Sequence, residues 1–508
     1  MRGRATGRDG DAARPRRLMA NWLILGVLAA GSIATMTAAT IVNVALPAVI
    51  GALGLGQDEA QWLSTAFLAS STGAMLFNTW AMARWGMRAG FAFAMATFTA
   101  GSLAGFVAQD LSLLIAGRVM QGAGAGLIQP MAMLVIHSRF PERARGLALG
   151  FYSLCVIVSP AFGPVLGGAL IDAYDWRVIM VATTPLAVLA GAAGWRMLPR
   201  RDEGAPPLAL DWLGLVLVMV SLALALQGLA HGAREGWDDA GVQARLTAAA
   251  ASAITFLAWE ARHPAPVLEL RLFRQPGFCA GGLAILLTGA AVYGSTWLAP
   301  LFLQQVQHYS PAGAGEILLP AGLAMAVCFP LAGRLTDRVP LGFLLAGGGA
   351  TFAWGMSLLA EAEMQTEGAA IAFALVLARA GIGLMMPAAH ACAMRQAAGR
   401  LGAAAPAATF LSQTGGALGV AVLSALLAQR TAFHGDALLP LVNVSAFHVG
   451  VGIEEVSRAV WSTALMLAFR DCFMVTGLAG LALLPVAMLS GERTNFTDRL
   501  KRALTLFR

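Results

Sequence analysis

The sequence predicts an all-α polytopic membrane protein of fourteen transmembrane helices, and three observations carry that prediction. Hydrophobic side chains make up 58% of the 508 residues and charged ones 12%, more oil than a water-soluble core of any domain count needs. The charges are grouped between uncharged stretches of about 20 residues, the length a helix needs to cross roughly 30 Å of hydrocarbon. The basic residues then sort to alternate connections, as they do when Lys and Arg are held on the cytoplasmic side.

The elements follow in order. Residues 1–21 form a basic tail, and the apolar run behind it is too long for a cleaved signal peptide, so the tail reads as cytoplasmic. Apolar segments then run over 22–45, 60–80, 89–108, 112–136, 146–170 and 178–198. A polar, proline-containing linker at 199–211 separates them from a pair at 212–230 and 244–260. Six more follow at 278–303, 314–334, 341–360, 369–392, 406–429 and 470–490, with a long outer connection at 430–469 and a second cytoplasmic tail at 491–508. With both ends inside, 26 of the 34 basic residues fall on inner segments and six, Arg177, Arg234, Arg245, Arg430, Arg458 and Arg470, fall outside. The remaining two, Arg118 and Arg379, lie within spans. Most tryptophans, Trp22, Trp85 and Trp212 among them, stand near span ends, where amphipathic rings settle.

Other classes of protein fit poorly. Five cysteines without C-x-x-C spacing read as buried spectators and not as metal or redox groups. No H-E-x-x-H, paired intramembrane Asp or Walker loop is present, so the chain offers no converging catalytic set, metal site or cofactor cradle. All but one of the basic residues are Arg, Lys501 being the exception, which reads as genomic bias and not as a nucleic-acid surface.

The chain also echoes itself. GRLTDR at Gly333 to Arg338, at the inner end of the tenth span, matches TWAMARWGMR at Thr79 to Arg88, at the inner end of the second. Arg379 in the twelfth span matches Arg118 in the fourth. A constant offset of eight spans implies two six-helix halves, 22–198 and 278–490, with the pair at 212–260 inserted between them. Parallel repeats of this kind enclose a cavity reached alternately from either side.

At this point the residues resemble a known family. TIVNVALP at Thr40 to Pro47, LIAGRVMQGAGAG at Leu114 to Gly126 and SPAFGPVLGG at Ser159 to Gly168 occur in order, followed by DWLG at Asp211, LELRLFR at Leu268 and YSPAGAGEILLPAG at Tyr309. Over nearly its whole length the chain is similar to the fourteen-span drug:proton antiporters of the major facilitator superfamily, the EmrB/QacA-like group. The resemblance implies a major facilitator fold in a 6+2+6 arrangement. It also implies active export of small amphipathic or toxic molecules driven by inward proton flow across a bacterial inner membrane, with no ATP site. Relatives of this group often work with a periplasmic membrane-fusion adaptor and an outer-membrane channel, and the 430–469 connection is the segment expected to dock one.

Candidate working residues follow from motif and depth. Arg118 is a cation inside a span, where it is costly and normally turned inward; the resemblance links it to proton coupling, with packing against helix carbonyls as the alternative. Gln121, three residues on, shares its helix face. Gly163, Pro164, Gly167 and Gly168 form a small-residue face for close helix approach, which the resemblance identifies as the antiporter signature. Arg84, Gly86 and Arg88 match the family's inner gating loop, although Ala83 stands where an Asp is common; Gly333, Asp337 and Arg338 form the second copy, flanked by Arg334. Asn43, Thr40, Gln129, Arg379 and Gln413 are polar groups at span depth that as a set are candidates to line the pathway, with Thr37, Gln227 and Thr414 beside them, while for each one singly the favoured reading is a hydrogen bond that cross-links helices.

The proton carrier is the open question. The family often has an acid two residues before the TIVNVALP run, and this chain has Ala38. Glu316 is the first candidate, provided burial tunes its carboxyl; Asp471, expected as an interfacial pair with Arg470, and His390 follow. The missing acid also favours a neutral or anionic amphipath as cargo, and leaves an uncoupled facilitator or importer as the competing reading.

Overall fold

The computed structural model describes residues 9–55, 57–200, 210–264, 266–336, 338–397, 401–439 and 453–489. The segments 1–8, 201–209 of the linker, 440–452 of the outer connection and the tail 491–508 lie outside the described residues, as does Asp337.

The described chain is helical throughout. In order the helices are α1 (Asp9–Leu53), α2 (Gln57–Phe106), α3 (Leu111–Arg139), α4 (Glu142–Ala173), α5 (Val178–Val181), α6 (Thr184–Met197), α7 (Trp212–Glu235) and α8 (Ala240–Glu260). After a short 3₁₀ turn at Leu270–Arg274 come α9 (Pro276–Gln305), α10 (Pro311–Leu335), α11 (Leu341–Ala360), α12 (Gly368–Gln396), α13 (Leu401–Leu438), α14 (Ile453–Leu481) and α15 (Leu483–Leu489). Eleven helices among the described residues are long and apolar enough to cross a membrane. The segments read at 60–80, 146–170 and 244–260 are helical as well, within α2, α4 and α8, but are not among those eleven.

Local chemistry sets the starts. Asp110, Asp239 and Ser310 stand before α3, α8 and α10, and their side chains accept from Leu113 N–H, Val242 N–H and Gly313 N–H at 2.8, 3.0 and 3.1 Å. Asp211 does the same for α7, accepting from Gly214 N–H at 2.8 Å; it is buried and lies 3.6 Å from His263. The DWLG motif is therefore a helix start, tied to the segment that leads into LELRLFR.

Four boundaries differ from the sequence reading. The second and third spans form one element, α2, bent at Gly86. The sixth is broken into α5 and α6, with Pro185 in the first turn of the latter. The 430–469 excursion is largely not a loop: α13 continues to Leu438 and α14 begins at Ile453, and the apolar span that runs from α14 into α15 covers Ser457–Met488. Apolar residues before position 470, Leu465 and Phe469 among them, are buried, and the charges at Arg458 and Arg470 hid that continuity. The N-terminal tail is likewise partly helix, because α1 starts at Asp9.

The chain divides into two compact units. The first comprises residues 1–219, 262–269 and 405–409; the second comprises 220–261, 270–404 and 410–508. In the first, α1, α2, α3, α4 and α6 close around Leu28, Phe91, Phe98, Met131, Tyr152 and Ala187. Glycines let α2 and α3 touch backbone to backbone: a methyl group on Gly101 would sit 2.6 Å from the Gly117 carbonyl oxygen, and one on Gly117 2.8 Å from that of Gly101. The second unit repeats the device between α11 and α12, where a methyl on Gly381 would lie 2.6 Å from the Gly348 oxygen and one on Gly348 2.8 Å from that of Gly381. The glycines beside Arg118 and Arg379 are thus packing surfaces of equivalent helix pairs.

Candidate functional site

Arg118 is the largest fully buried side chain of the first unit, 2% exposed on α3. Its Nε donates to the Leu63 carbonyl at 2.9 Å. Nη1 donates to the Ala38 carbonyl at 3.0 Å and to Gln121 Oε1 at 2.8 Å. The guanidinium also lies 4.4 Å from the centre of the Phe67 ring. Gln121 passes the network on, its Nε2 donating to Ser102 Oγ at 2.8 Å and to the Met180 carbonyl at 3.3 Å. Arg118 and Gln121 are therefore brought together as the sequence expects, and the group joins α1, α2, α3 and α5.

The magnitudes explain how a cation sits there. An arginine at mid-span costs about 2.5–3.5 kcal/mol on insertion scales, and a hydrogen bond from a charged group returns about 1.5–3 kcal/mol. Three such bonds offset the cost. One donor is left over: Nη2 is buried with no partner among the described residues. Arg379 repeats the theme in the second unit, 6% exposed on α12 with its Nη1 buried and unpartnered among the described residues.

The glycine signature packs α4 on α1. A methyl on Gly163 would meet Thr40 Oγ1 and Ile41 N, and one on Gly167 would lie 2.9 Å from Ile41 Cγ1, whereas Gly168 faces open space. The side chain of Pro164 lies outside the described residues. Around this contact Thr37 Oγ1 donates to the Ser159 carbonyl at 3.1 Å, and the Ser32 and Tyr152 hydroxyls are bonded at 2.8 Å. Thr40 Oγ1 turns back to the Thr37 carbonyl at 3.2 Å. Asn43, expected to line the pathway, has a side chain outside the described residues.

At the first gating motif Gly86 has φ 75° and ψ 174°, a backbone conformation essentially reserved for glycine. Arg88 closes the bend against the end of α6: its Nε donates to the Leu198 carbonyl at 2.8 Å and its backbone N–H to that of Pro199 at 3.2 Å. Arg84 is exposed. At the second motif Gly333 is half-buried and its carbonyl accepts from Thr336 Oγ1 at 2.7 Å, while Arg334 and Arg338 are exposed. Sequence reasoning missed the cation that holds this end: Arg395, in the last turn of α12, donates to the Thr336 carbonyl at 2.6 Å. Its position at a helix C-terminus was the available signal.

The remaining polar residues divide. Gln129 and Gln227 are buried. Gln413 hydrogen-bonds the buried Tyr293 hydroxyl, joining α13 to α9. Thr414 Oγ1 is buried without a partner among the described residues. His390 Nδ1 is 3.0 Å from the Met386 carbonyl, four residues back on its own helix.

The acids correct two expectations. Glu316 is exposed on α10, so the burial that was to tune its carboxyl is absent; position 316 falls on the outer face of the helix, with Gly315, Leu319 and Leu323. Asp471 is neither at a helix end nor paired with Arg470. It lies within α14, 2.5 Å from Arg430 Nε and 2.8 Å from His434 Nε2, both on α13, and Arg470 is exposed.

Each unit thus carries a buried arginine beside a glycine-packed helix pair. The family model described as Major Facilitator Superfamily matches residues 28–420, and the chain belongs to that superfamily. It is 33% identical over 432 residues to the puromycin resistance protein pur8 of Streptomyces alboniger, covering 83% of this chain and 84% of that one. It is 28% identical over 418 residues to the multidrug export protein EmrB of Escherichia coli, covering 80% of each. Among solved structures it resembles the human organic anion transporter MFSD10, with a TM-score of 0.59 at 13% identity over 92% of this chain and 99% of that one. The protein is a multi-pass membrane transporter of small molecules with multidrug-resistance relatives.

Proposed function

We propose that the protein is a secondary active efflux transporter that exports small amphipathic or toxic compounds by proton antiport with alternating access. In this reading it crosses a bacterial inner membrane fourteen times, with both termini cytoplasmic and most of its basic residues on that side. The observation that carries it is Arg118: a buried guanidinium bonded to α1, α2 and Gln121, with one donor still unused. A purely structural cation would spend its donors on the scaffold; a spare buried donor is placed to receive an acceptor that comes and goes. The names of the relatives, multidrug export and puromycin resistance, support efflux of toxic cargo.

The test is a drug-susceptibility and dye-efflux panel in cells expressing wild type or Arg118→Ala at matched membrane levels. Resistance that the variant abolishes, and that a protonophore also abolishes in wild type, is the expected result. Wild-type efflux that ignores the protonophore would favour the second reading, an uncoupled facilitator or importer, which Ala38 in place of an acid motivates. A periplasmic adaptor leading to an outer-membrane channel belongs to the proposal as well. Its expected dock is the connection between α13 and α14, and deleting 440–452 followed by adaptor pull-down checks it.

A further inference from the structure

The span acid that proton coupling calls for is missing near Ala38, yet one acid does sit inside a long apolar helix. Asp471 is the only Asp or Glu in the Ser457–Met488 span that runs from α14 into α15. Its Oδ2 is shared by two side chains of α13, Arg430 Nε at 2.5 Å and His434 Nε2 at 2.8 Å. The Asp471 and His434 side chains are 26% and 17% exposed, so the pair is shielded without being sealed from water. Arg430 is also stacked 4.6 Å from the Phe433 ring centre, which fixes the guanidinium beside the acid. Among the described residues of the packed helices, nothing else charged faces the cluster. The helices α9 and α11, against which α14 packs, contain no Asp, Glu, Lys, Arg or His, and α9 presents Phe302 to Phe469 and Phe473. The neighbouring Cys472 donates to the Leu423 carbonyl, and Arg470 and Asp436 are exposed.

We propose that His434, Asp471 and Arg430 form a proton-binding site in the second unit, with His434 the group that takes the proton. This rests on the proton-coupled reading above and names its acceptor. An ionised carboxylate can only accept, so His434 Nε2 carries its hydrogen toward Asp471 in either state. The lone pair is then at Nδ1, which has no hydrogen bond among the described residues. A proton from water adds at Nδ1 and gives an imidazolium; the Nε2–H···Oδ2 contact becomes charge-assisted, and the cluster changes from neutral to one positive charge. Asp471 Oδ2 already faces Arg430 Nε and His434 Nε2, so the added proton enters at the open imidazole nitrogen. The bond joins α13 to α14, so loading the site tightens that helix pair and unloading loosens it.

The experiment titrates the full-length protein in nanodiscs by NMR of labelled histidines, with His434→Gln identifying the resonance. The His434 resonance is expected to report protonation within the range open to an imidazole, with Asp471→Asn moving that transition to lower pH. Arg430→Gln is expected to move it the opposite way. A resonance that does not titrate in that range, or a midpoint that Asp471→Asn leaves in place, overturns the proposal. In parallel, dye transport in inverted vesicles compares an imposed pH gradient with a dye gradient alone. His434→Gln is expected to lose the first and keep the second, which also shows that the variant is folded. If His434 titrates as stated but the wild type ignores the pH gradient, the antiport reading fails and the binding site stands; if the wild type responds and His434→Gln responds equally, the site is not the coupling acceptor and the inference fails.

Discussion

Arg118 on α3 donates to the backbone carbonyl of Ala38 on α1, 3.0 Å away across 80 residues of sequence. The Ala38 side chain offers no acceptor, and the helix backbone supplies one. Arg118→Ala would leave the buried Gln121 Oε1 without its donor, about 1–3 kcal/mol for a buried group left unpaired, and would take a second hydrogen bond from the helical Ala38 and Leu63 carbonyls. Efflux is expected to fall at least about tenfold while the protein still reaches the membrane. Arg118→Lys is expected to restore charge without activity, because an ammonium lacks the planar fork that serves Leu63, Ala38 and Gln121 together. Normal export by either variant at matched expression argues against the role.

The contact between Gly163 and the Thr40–Ile41 stretch of α1 gives a second, position-specific expectation. Gly163→Val must push α1 and α4 apart, and the bonds from Thr37 to Ser159 and from Ser32 to Tyr152 cross the same seam. Gly168→Val, on the open side, should be nearly silent. Melting of the purified variants checks this: overpacking typically costs about 1–3 kcal/mol, so a clear drop is expected for Gly163 and little for Gly168. Equal effects at both sites would dispose of the seam.

Much of this architecture was legible in the sequence because it depends on composition. Apolar length pointed to the helices, and the match between Arg118 and Arg379 falls on the α2–α3 and α11–α12 pairs that share a glycine contact. Pairings between distant residues were not legible. Nothing local to Asp471 announces Arg430 and His434, 41 and 37 residues earlier; the adjacent Arg470 was the nearer and wrong partner. The boundary error at 430–469 has a simpler origin, since exposed charges on a helix, Arg458 and Arg470 here, look like loop charges in one dimension. Glu316 failed in the opposite way: depth along the sequence does not say which face of α10 meets solvent or lipid.

Gly86 carries a backbone expectation. At φ 75° and ψ 174° a side chain is strained by about 1–3 kcal/mol, and the bend it makes is held by Arg88 on the Leu198 and Pro199 carbonyls. Gly86→Ala is expected to lower the unfolding midpoint and weaken efflux, whereas Ala83→Asp, at the neighbouring half-buried position where relatives carry an acid, is expected to be tolerated. An undiminished midpoint for Gly86→Ala would show that the bend relaxes at no cost.

Restoring the missing acid is the sharpest test of how the Arg118 network works. Ala38 is 3% exposed and its carbonyl already lies 3.0 Å from Arg118 Nη1, so a carboxylate there falls within reach of the same guanidinium and of its unused Nη2. An isolated buried carboxylate would be strongly destabilising, but one paired with a buried cation that lacks a partner recovers much of that cost. Ala38→Asp is therefore expected to express and melt close to wild type, whereas Ala38→Asp combined with Arg118→Ala is expected to lose stability by about 3–5 kcal/mol, the cost of a buried charge stripped of its partner. Efflux measured from pH 5.5 to 8 should become more steeply dependent on pH in the single variant, because a titratable group has been placed in the network. A single variant that melts as low as the double one would mean that the guanidinium does not reach the introduced acid, and that Nη2 points to some other acceptor.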